Sequence, residues 1–541
     1  MKIRAGGIFV IFMIAFTMVY LSVFGVSSNI RLIEAAGKND TYTLLVNEFR
    51  GYIYDCNFEP LVNDGAEEYA AAVNPTAKAL EALEPVLSET DKEWICGKFA
   101  EGKPFVCKTR ELSPQSPDIV FLPVKRRYSG EALAEHIIGY IDGSGKGVSG
   151  LEKIYDERLS EMSAKATISF SVNALNGALL GVAPQVSGDG YSSRPGLVLT
   201  IDKRIQSIVE TVGNKNIKKG AIVVMDVYSG AIRAAASFPG FDPNHVADYL
   251  QDKNSALLNR CFASYNVGSV FKPTALAAAL EKGISVDYSY ECSGCEEVNN
   301  LIIRCNNING HGLLNMKEAT EVSCNTYFID LVRNRLGAER LYQMALNLGF
   351  GSPVELAPGY RTSRGNFPAP SELSYGAELA GLAFGQGKLT ANPIQIAKTI
   401  AAIANGGMAV TPSLALGFSD ADGKRLVESE GANEAVRVMS RQTAETIQSF
   451  MRGVIYDQNG SGRRAMPETG GAGGKTGSAQ TGIMDENGKE IVHAWFAGFF
   501  PAYKPKYAVV ILNEGAGSGA LRSAPVFKKI ADQINLTAPD Q

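Results

Sequence analysis

An α+β fold is predicted for the larger part of this chain, residues 191–541, and three observations predict it. Near its start, Gly220–Val227 is an almost continuous apolar run that turns at Tyr228-Ser229-Gly230 into Ala231–Ala236, the pattern of a β-hairpin. Near its end, Lys475–Thr481, Val492–Phe500 and Tyr507–Asn513 read as three more strands, the first two joined by the turn Asp485-Glu486-Asn487-Gly488. Between them, residues 269–455 are largely helical in pattern. Strands from both ends around a helical middle predict one antiparallel sheet in which the two ends of the unit meet.

Taken in order, the chain begins with Lys2 and Arg4, then runs uncharged from Ala5 to Ile30. Gly7–Val26 is apolar enough, and at about twenty residues long enough, to cross a bilayer. The preceding cations place the N-terminus in the cytoplasm and the rest outside. A cleaved signal would have a shorter apolar core, roughly 7–15 residues, and an alanine-bearing cleavage site, which Gly25-Val26-Ser27 does not supply. An uncleaved anchor with a cytoplasmic stub is therefore expected over 1–30.

Residues 31–190 are expected to form a separate mixed α/β domain. Ile30–Lys38 extends the first helix, Thr41–Tyr54 is extended, and Arg50–Asn57 runs as a strand into an Asp/Asn turn. Ala66–Leu87 reads as helical. Gly150–Leu159 reads as one helix from the spacing of Leu151, Ile154, Tyr155 and Leu159, and Thr167–Val182 as a hairpin around Asn176-Gly177. His136, alone among apolar neighbours, is expected to be structural. The Ser- and Gly-rich stretch Val186–Gly196 marks the boundary. Beyond it come a strand at Leu197–Ile201, a helix capped by Asp202 and, at Pro525–Ile534, a closing helix.

The formal net charge of −4 gives no basic field to hold nucleic acid. The eight cysteines all follow the anchor, where disulfides are permitted. Cys96 and Cys107 could close a short loop. Cys292-x-x-Cys295 with Cys305 and His311 has zinc-ligand spacing, but the segment is irregular, Asn-rich and without a second Cys-x-x-Cys. Structural cysteines or one disulfide are the expectation there, with no metal and no cofactor.

Three motifs carry chemistry. Ser269-x-x-Lys272 is the only S-x-x-K in the chain, and it opens the alanine-rich run Pro273–Lys282, so that its two side chains share one helical face. Ser323-Cys324-Asn325 is one of four S-x-N matches and is singled out by its place in the helical middle. Lys475-Thr476-Gly477 occurs once, after four glycines and at the start of a strand. Together they suit acyl transfer. A serine hydroxyl needs a base, which Lys272 supplies if burial and the like charge of Lys475 hold it neutral. Ser323 can relay a proton to a leaving amine, and Asn325 can hold a substrate amide. Lys475 and Thr476 offer a charge and a hydroxyl to a carboxylate. Gly477 removes a side chain where a peptide would lie along a strand edge, and the backbone N–H groups of Ser269 and Ser478 would form an oxyanion hole.

These motifs, in this order, occur in serine β-lactamases and penicillin-binding proteins. With Gly220–Asn244, Gly385-Gln386-Gly387, Pro393-Ile394-Gln395 and Ala404-Asn405-Gly406-Gly407, most of the chain resembles a class B, monofunctional penicillin-binding protein. Arg50–Asp55 and Gly150-Leu151-Glu152 resemble the membrane-proximal pedestal (dimerisation-like) domain of that family. The resemblance implies the β-lactamase-like transpeptidase fold, a sheet flanked by helices plus an all-helical lobe, over 191–541. It implies a D,D-transpeptidase that acylates its serine with the D-alanyl-D-alanine end of a peptidoglycan stem peptide, is itself acylated by β-lactams, and works beside a SEDS-type membrane glycan polymerase. Val267 and Val270 stand where the family often has Pro and Thr, a difference expected to affect packing alone. A D,D-carboxypeptidase, or a β-lactam sensor or scaffold, are the alternatives.

Overall fold

The computed structural model describes residues 2–28, 41–63, 67–86, 89–109, 116, 118–130, 132–172, 179, 182–188, 193–431 and 434–537. The chain folds into two compact units: Met1–Arg50, Asn63–Arg127 and Met162–Arg194 form one, and Gly51–Val62, Tyr128–Glu161 and Pro195–Gln541 the other. The change at Arg194/Pro195 falls within the Ser/Gly-rich stretch. Residues 51–62 and 128–161, which the sequence groups with the pedestal, pack with the second unit.

In the first unit, the helix Lys2–Ser27 carries the apolar run Gly6–Gly25, long and apolar enough to cross a membrane and with none of its surface buried by the rest of the chain. The expected extension over Ile30–Lys38 lies outside the described residues. Strand Thr41–Phe49 pairs antiparallel with Ala164–Ser171, which pairs in turn with Gln185–Ser187. Residues 173–178, where a hairpin turn is expected, are also outside the description.

A second sheet has the order Phe105–Thr109, Glu67–Val73, Ile119–Lys125. Its central strand corrects the helix expected over Ala66–Leu87. Glu and Ala favour helix locally, but pairing on both sides buries Ala70, Ala71, Ala72 and Val73, and that tertiary gain outweighs a propensity worth a few tenths of a kcal/mol per residue. Helix begins only at Ala77–Leu83, where the Thr76 hydroxyl caps the Ala79 N–H at 3.2 Å and Ala79 and Leu83 pack against Phe105 and Ile119. Cys96 is an exposed free thiol, so the loop closure to buried Cys107 is not made.

In the second unit, Tyr52–Tyr54 lies parallel to Gly196–Leu199, which pairs antiparallel with Ala415–Ser419. The Asp55 carboxylate closes the turn after Tyr54 by accepting from the N–H groups of Asn57 and Glu59, both at 2.8 Å. The helix expected over 150–159 is two short ones, Gly150–Ile154 and Asp156–Glu161, broken at Tyr155. His136 is buried with Nε2 2.6 Å from the Ala256 carbonyl, a structural position.

Helix α1 (Lys203–Asn216) is capped by Asp202, whose carboxylate accepts from the Arg204 and Ile205 N–H groups. The main sheet comprises β1 (Gly220–Asp226), β2 (Ile232–Phe238), β3 (Gly473–Met484), β4 (Glu490–Phe500) and β5 (Tyr507–Asn513), in the order β2-β1-β5-β4-β3 and antiparallel throughout. Strands from the two ends of the unit thus meet where β1 pairs with β5. On one face Ile222, Val224, Phe496, Phe500, Val509 and Ile511 form a core with α1 and the closing helix Ala524–Thr537. The alternate residues Ala221, Val223 and Met225, equally buried, face the other side. The middle holds α2 (Lys272–Glu281), α3 (Asn325–Asp330), α4 (Pro393–Ala404) and α5 (Arg441–Tyr456), interrupted by small hairpins over 290–314. β3 is an edge strand, so one side of its backbone is left for a partner outside the sheet.

Candidate active site

Lys272 is the first residue of α2, a helix whose residues 272–279 are all buried. It follows a tight turn, Gly268–Phe271, that carries Ser269 half-buried. The turn packs directly onto β3. A Cβ on Gly268, whose φ is +61°, would stand 3.1 Å from the Ala479 backbone. A Cβ on Gly477 would stand 3.1 Å from Val270 Cγ1 and 3.2 Å from both the Val267 carbonyl oxygen and Trp495 Cβ. Gly477 is therefore glycine because the serine turn occupies the space a side chain would need. This packing is a second reason for glycine beside the expected strand-edge peptide, and it gives the packing role of Val267 and Val270 a definite contact.

Two lysines converge on one hydroxyl. Lys272 Nζ donates to the Ser323 carbonyl at 2.8 Å, to Ser323 Oγ at 3.2 Å and to Asn325 Oδ1 at 2.9 Å. Lys475 Nζ, from β3, donates to the same Ser323 Oγ at 2.7 Å and to the Thr476 carbonyl at 3.2 Å. Both lysines are 0% exposed. Burial holds Lys272 down to about 8 and Lys475 well below the usual lysine range, the latter helped by the Lys272 charge. The two shifts share their direction and first cause, the removal of both amines from water by burial, which Cys324 and Cys305 oppose at Lys272.

Ser323 itself sits in the left-handed region at φ +59°, a conformation that costs a non-glycine residue about 1 kcal/mol or more. The next residue, Cys324, caps α3 by accepting from the Tyr327 N–H at 3.4 Å, and Asn325 begins that helix. Thr476 donates to Ser461 Oγ at 3.1 Å, and exposed Ser478 accepts from the Gly519 N–H at 3.3 Å. Lys272, Ser323, Asn325, Lys475 and Thr476 are thus brought into one hydrogen-bonded chain. Among the described residues the Ser269 hydroxyl stands outside that chain, one turn before Lys272.

Several contributors were not singled out from sequence. Ser461 reaches Thr476, and Trp495 Nε1 donates to the Asn266 carbonyl at 2.9 Å, bracing the segment before Ser269. Cys292, Cys305 and Cys324 are free thiols rather than a disulfide, and with His311 they bring four donor atoms within 4.8 Å of one another. Cys295, half of the Cys-x-x-Cys, is exposed and outside that group. The expectation of structural cysteines without a metal rests on the wrong set of four.

Residues 220–532 match the penicillin binding protein transpeptidase domain family. Stage V sporulation protein D of Bacillus subtilis is 32% identical over 75% of this chain and 63% of its own length. The peptidoglycan D,D-transpeptidase MrdA of Salmonella typhimurium is 25% identical over 94% and 92%. Penicillin-binding protein PBP2 of Helicobacter pylori, solved alone, matches with a TM-score of 0.68 at 23% identity over 92% of this chain and all of its own. The same protein solved with MreC matches with a TM-score of 0.65.

Proposed function

The chain belongs to the penicillin-binding protein transpeptidase family, and on that premise we propose that it is a membrane-anchored peptidoglycan D,D-transpeptidase with Ser269 as nucleophile. The observation that carries the residue roles is the convergence on Ser323 Oγ of two fully buried lysines, of which Lys272 lies one helical turn after Ser269.

In the acylation step, neutral Lys272 takes the Ser269 proton as Oγ attacks the carbonyl carbon of the penultimate D-alanine. The N–H groups of Ser269 and Ser478 receive the developing oxyanion, a donor pair each member of which is worth about 3–4 kcal/mol. The C–N bond then breaks, and Ser323, re-protonated from the lysines on either side of it, passes a proton to the departing D-alanine amine. Asn325 and the free edge of β3 hold the peptide, and Lys475 with Thr476 meets its terminal carboxylate. An amine from a neighbouring stem peptide attacks the acyl-enzyme along the reverse path, forming the crosslink and restoring Ser269. A β-lactam enters the same first step, its ring amide opened by Ser269 with the leaving amine retained on the adduct.

The helix Lys2–Ser27 serves as a single membrane anchor, with the cationic Lys2 and Arg4 on the cytoplasmic side and the transpeptidase outside. Residues 31–190 supply the pedestal except for 51–62 and 128–161, which belong with the catalytic domain at 191–541. Glycan strands are supplied by a SEDS-type membrane polymerase. Labelling with a fluorescent penicillin tests the nucleophile: wild type is labelled covalently and Ser269→Ala is not, and labelling that persists in the variant removes Ser269 from the role. Incubation with nascent glycan and a polymerase separates acceptors, since crosslinked dimers support transpeptidation and released D-alanine alone would replace it with carboxypeptidation.

A further inference from the structure

The four donor atoms beside the site lie within 4.8 Å of one another, and three of their six separations are those of a closed metal centre. A tetrahedral zinc ion, with Zn–S of about 2.3 Å and Zn–N of about 2.0–2.1 Å, separates sulfur from sulfur by about 3.8 Å and sulfur from nitrogen by about 3.5–3.6 Å. Here Cys305 Sγ and Cys324 Sγ are 3.8 Å apart, and His311 Nδ1 lies 3.5 Å from Cys292 Sγ and 3.6 Å from Cys305 Sγ. A disulfide would require one sulfur pair to close to about 2.05 Å and would leave a third buried cysteine and the imidazole facing it. The three thiols are buried, at 2%, 4% and 0% exposure, so the group is not a chance surface cluster.

The surroundings supply what bound thiolates need. Thr326 Oγ1 donates to Cys292 Sγ at 3.1 Å, the Asn325 N–H to Cys305 Sγ at 3.3 Å and the Tyr327 N–H to Cys324 Sγ at 3.4 Å. Each sulfur thus has a donor from the first turn of α3, the kind of outer support that orients metal ligands.

We propose that Cys292, Cys305, His311 and Cys324 bind one zinc ion that ties the 290–314 hairpins to the N-terminus of α3 and so fixes Ser323 and Asn325. Three soft thiolates with an imidazole favour zinc over magnesium, calcium or manganese. With four protein ligands the ion has no open position and takes no part in the reaction as a Lewis acid. Its effect is positional. Cys324 lies between the two residues that receive Lys272 Nζ, and Ser323 is held at a positive φ that a loose loop would relax. The ion acts as a crosslink at the one place where the catalytic hydroxyl needs it.

The proposal extends the transpeptidase reading but is tested separately from it. The full chain is purified in detergent without added chelator, and bound metal is measured by elemental analysis and by release to a chromogenic zinc indicator on thiol titration. Close to one zinc per chain is expected, with loss of most of it in Cys305→Ser. Thr326→Val keeps all four ligands and is expected to weaken zinc affinity by about 10- to 100-fold. Should Cys305→Ser fail to fold, cobalt substitution of the wild type decides: tetrahedral d–d bands with charge transfer from three sulfurs support the site. Protein that retains no zinc when purified with zinc present, or cobalt spectra showing no thiolate ligation, overturns it. Penicillin labelling of chelator-depleted wild type at the rate of the zinc-loaded protein would overturn the positional role while leaving Ser269 as nucleophile untouched.

Discussion

Asn325→Asp is a direct test of Lys272 as the base. The Asn325 Oδ1 atom lies 2.9 Å from Lys272 Nζ, so the substitution sets a carboxylate against that amine with almost no change of shape. In the native site burial depresses Lys272 to about 8, against the weaker opposing influence of Cys324 and Cys305, while Lys475 faces it across Ser323. Since the neutral amine is the reactive form, acylation is full above about pH 8 and falls about tenfold per unit below it. An opposite charge at this distance raises a partner's pKa by about 1–3 units. The acid limb is therefore expected to move to about pH 9–11, and acylation near neutral pH to fall by about 10- to 1000-fold. The assay is the second-order rate of fluorescent-penicillin labelling across pH, with circular dichroism at each point to show that the protein is folded. Loss of substrate contact alone would lower the rate equally at every pH. A limb that stays in place, or a wild-type profile flat through neutral pH, would refute Lys272 as the base.

Other changes probe the frame. Gly477→Ala drives a methyl to within 3.1–3.2 Å of Val270, Val267 and Trp495, and it is expected to cost about 1–3 kcal/mol in thermal unfolding and to slow labelling by displacing the Ser269 turn. Trp495→Phe leaves the Asn266 carbonyl without its indole donor, and a loss of about 1–3 kcal/mol is expected together with slower labelling. Asp202→Ala removes the cap of α1 remote from the site, so unfolding measurements should show a loss of about 1 kcal/mol with the labelling rate unchanged.

What the sequence disclosed follows from how local each signal is. Ser269 and Lys272 are three residues apart in one helical register, and Lys475-Thr476-Gly477 follows a run of glycines, so both could be read without tertiary knowledge. Ser323 needed its position in the chain to separate it from three other matches. The sheet was legible because β1 and β5 are buried on both faces and read as unbroken apolar runs. Glu67–Val73 was misread because its strand state is decided by neighbours on either side, which leave no trace in a run of Glu and Ala. The Cys/His group was misassembled for a similar reason. Spacing draws attention to Cys295, whereas the fold recruits Cys324 from the Ser323-Cys324-Asn325 motif itself.

The site's economy rests on a single oxygen. Ser323 Oγ has one proton to give and accepts from two amines, Lys475 at 2.7 Å and Lys272 at 3.2 Å. Were both amines charged, two unsolvated cations would meet there with no carboxylate among their hydrogen-bond partners, and an unpaired buried charge costs several kcal/mol. Burial relieves that cost by depressing both amines, and in the proposed mechanism Lys272, once neutral, is the base for Ser269. Reactivity is then a consequence of burial, and anything that admits water or a counter-charge to this pocket reduces it. The left-handed backbone at Ser323 belongs to the same logic: both the peptide carbonyl and the hydroxyl reach Lys272, so that Ser323 supplies two of the amine's three acceptors out of water. A residue free to relax to negative φ would lose one of them. On the proposed mechanism, rigidity of the segment Ser323–Asn325 is part of the chemistry, and the proposed crosslink through Cys324 would matter more there than at any surface loop.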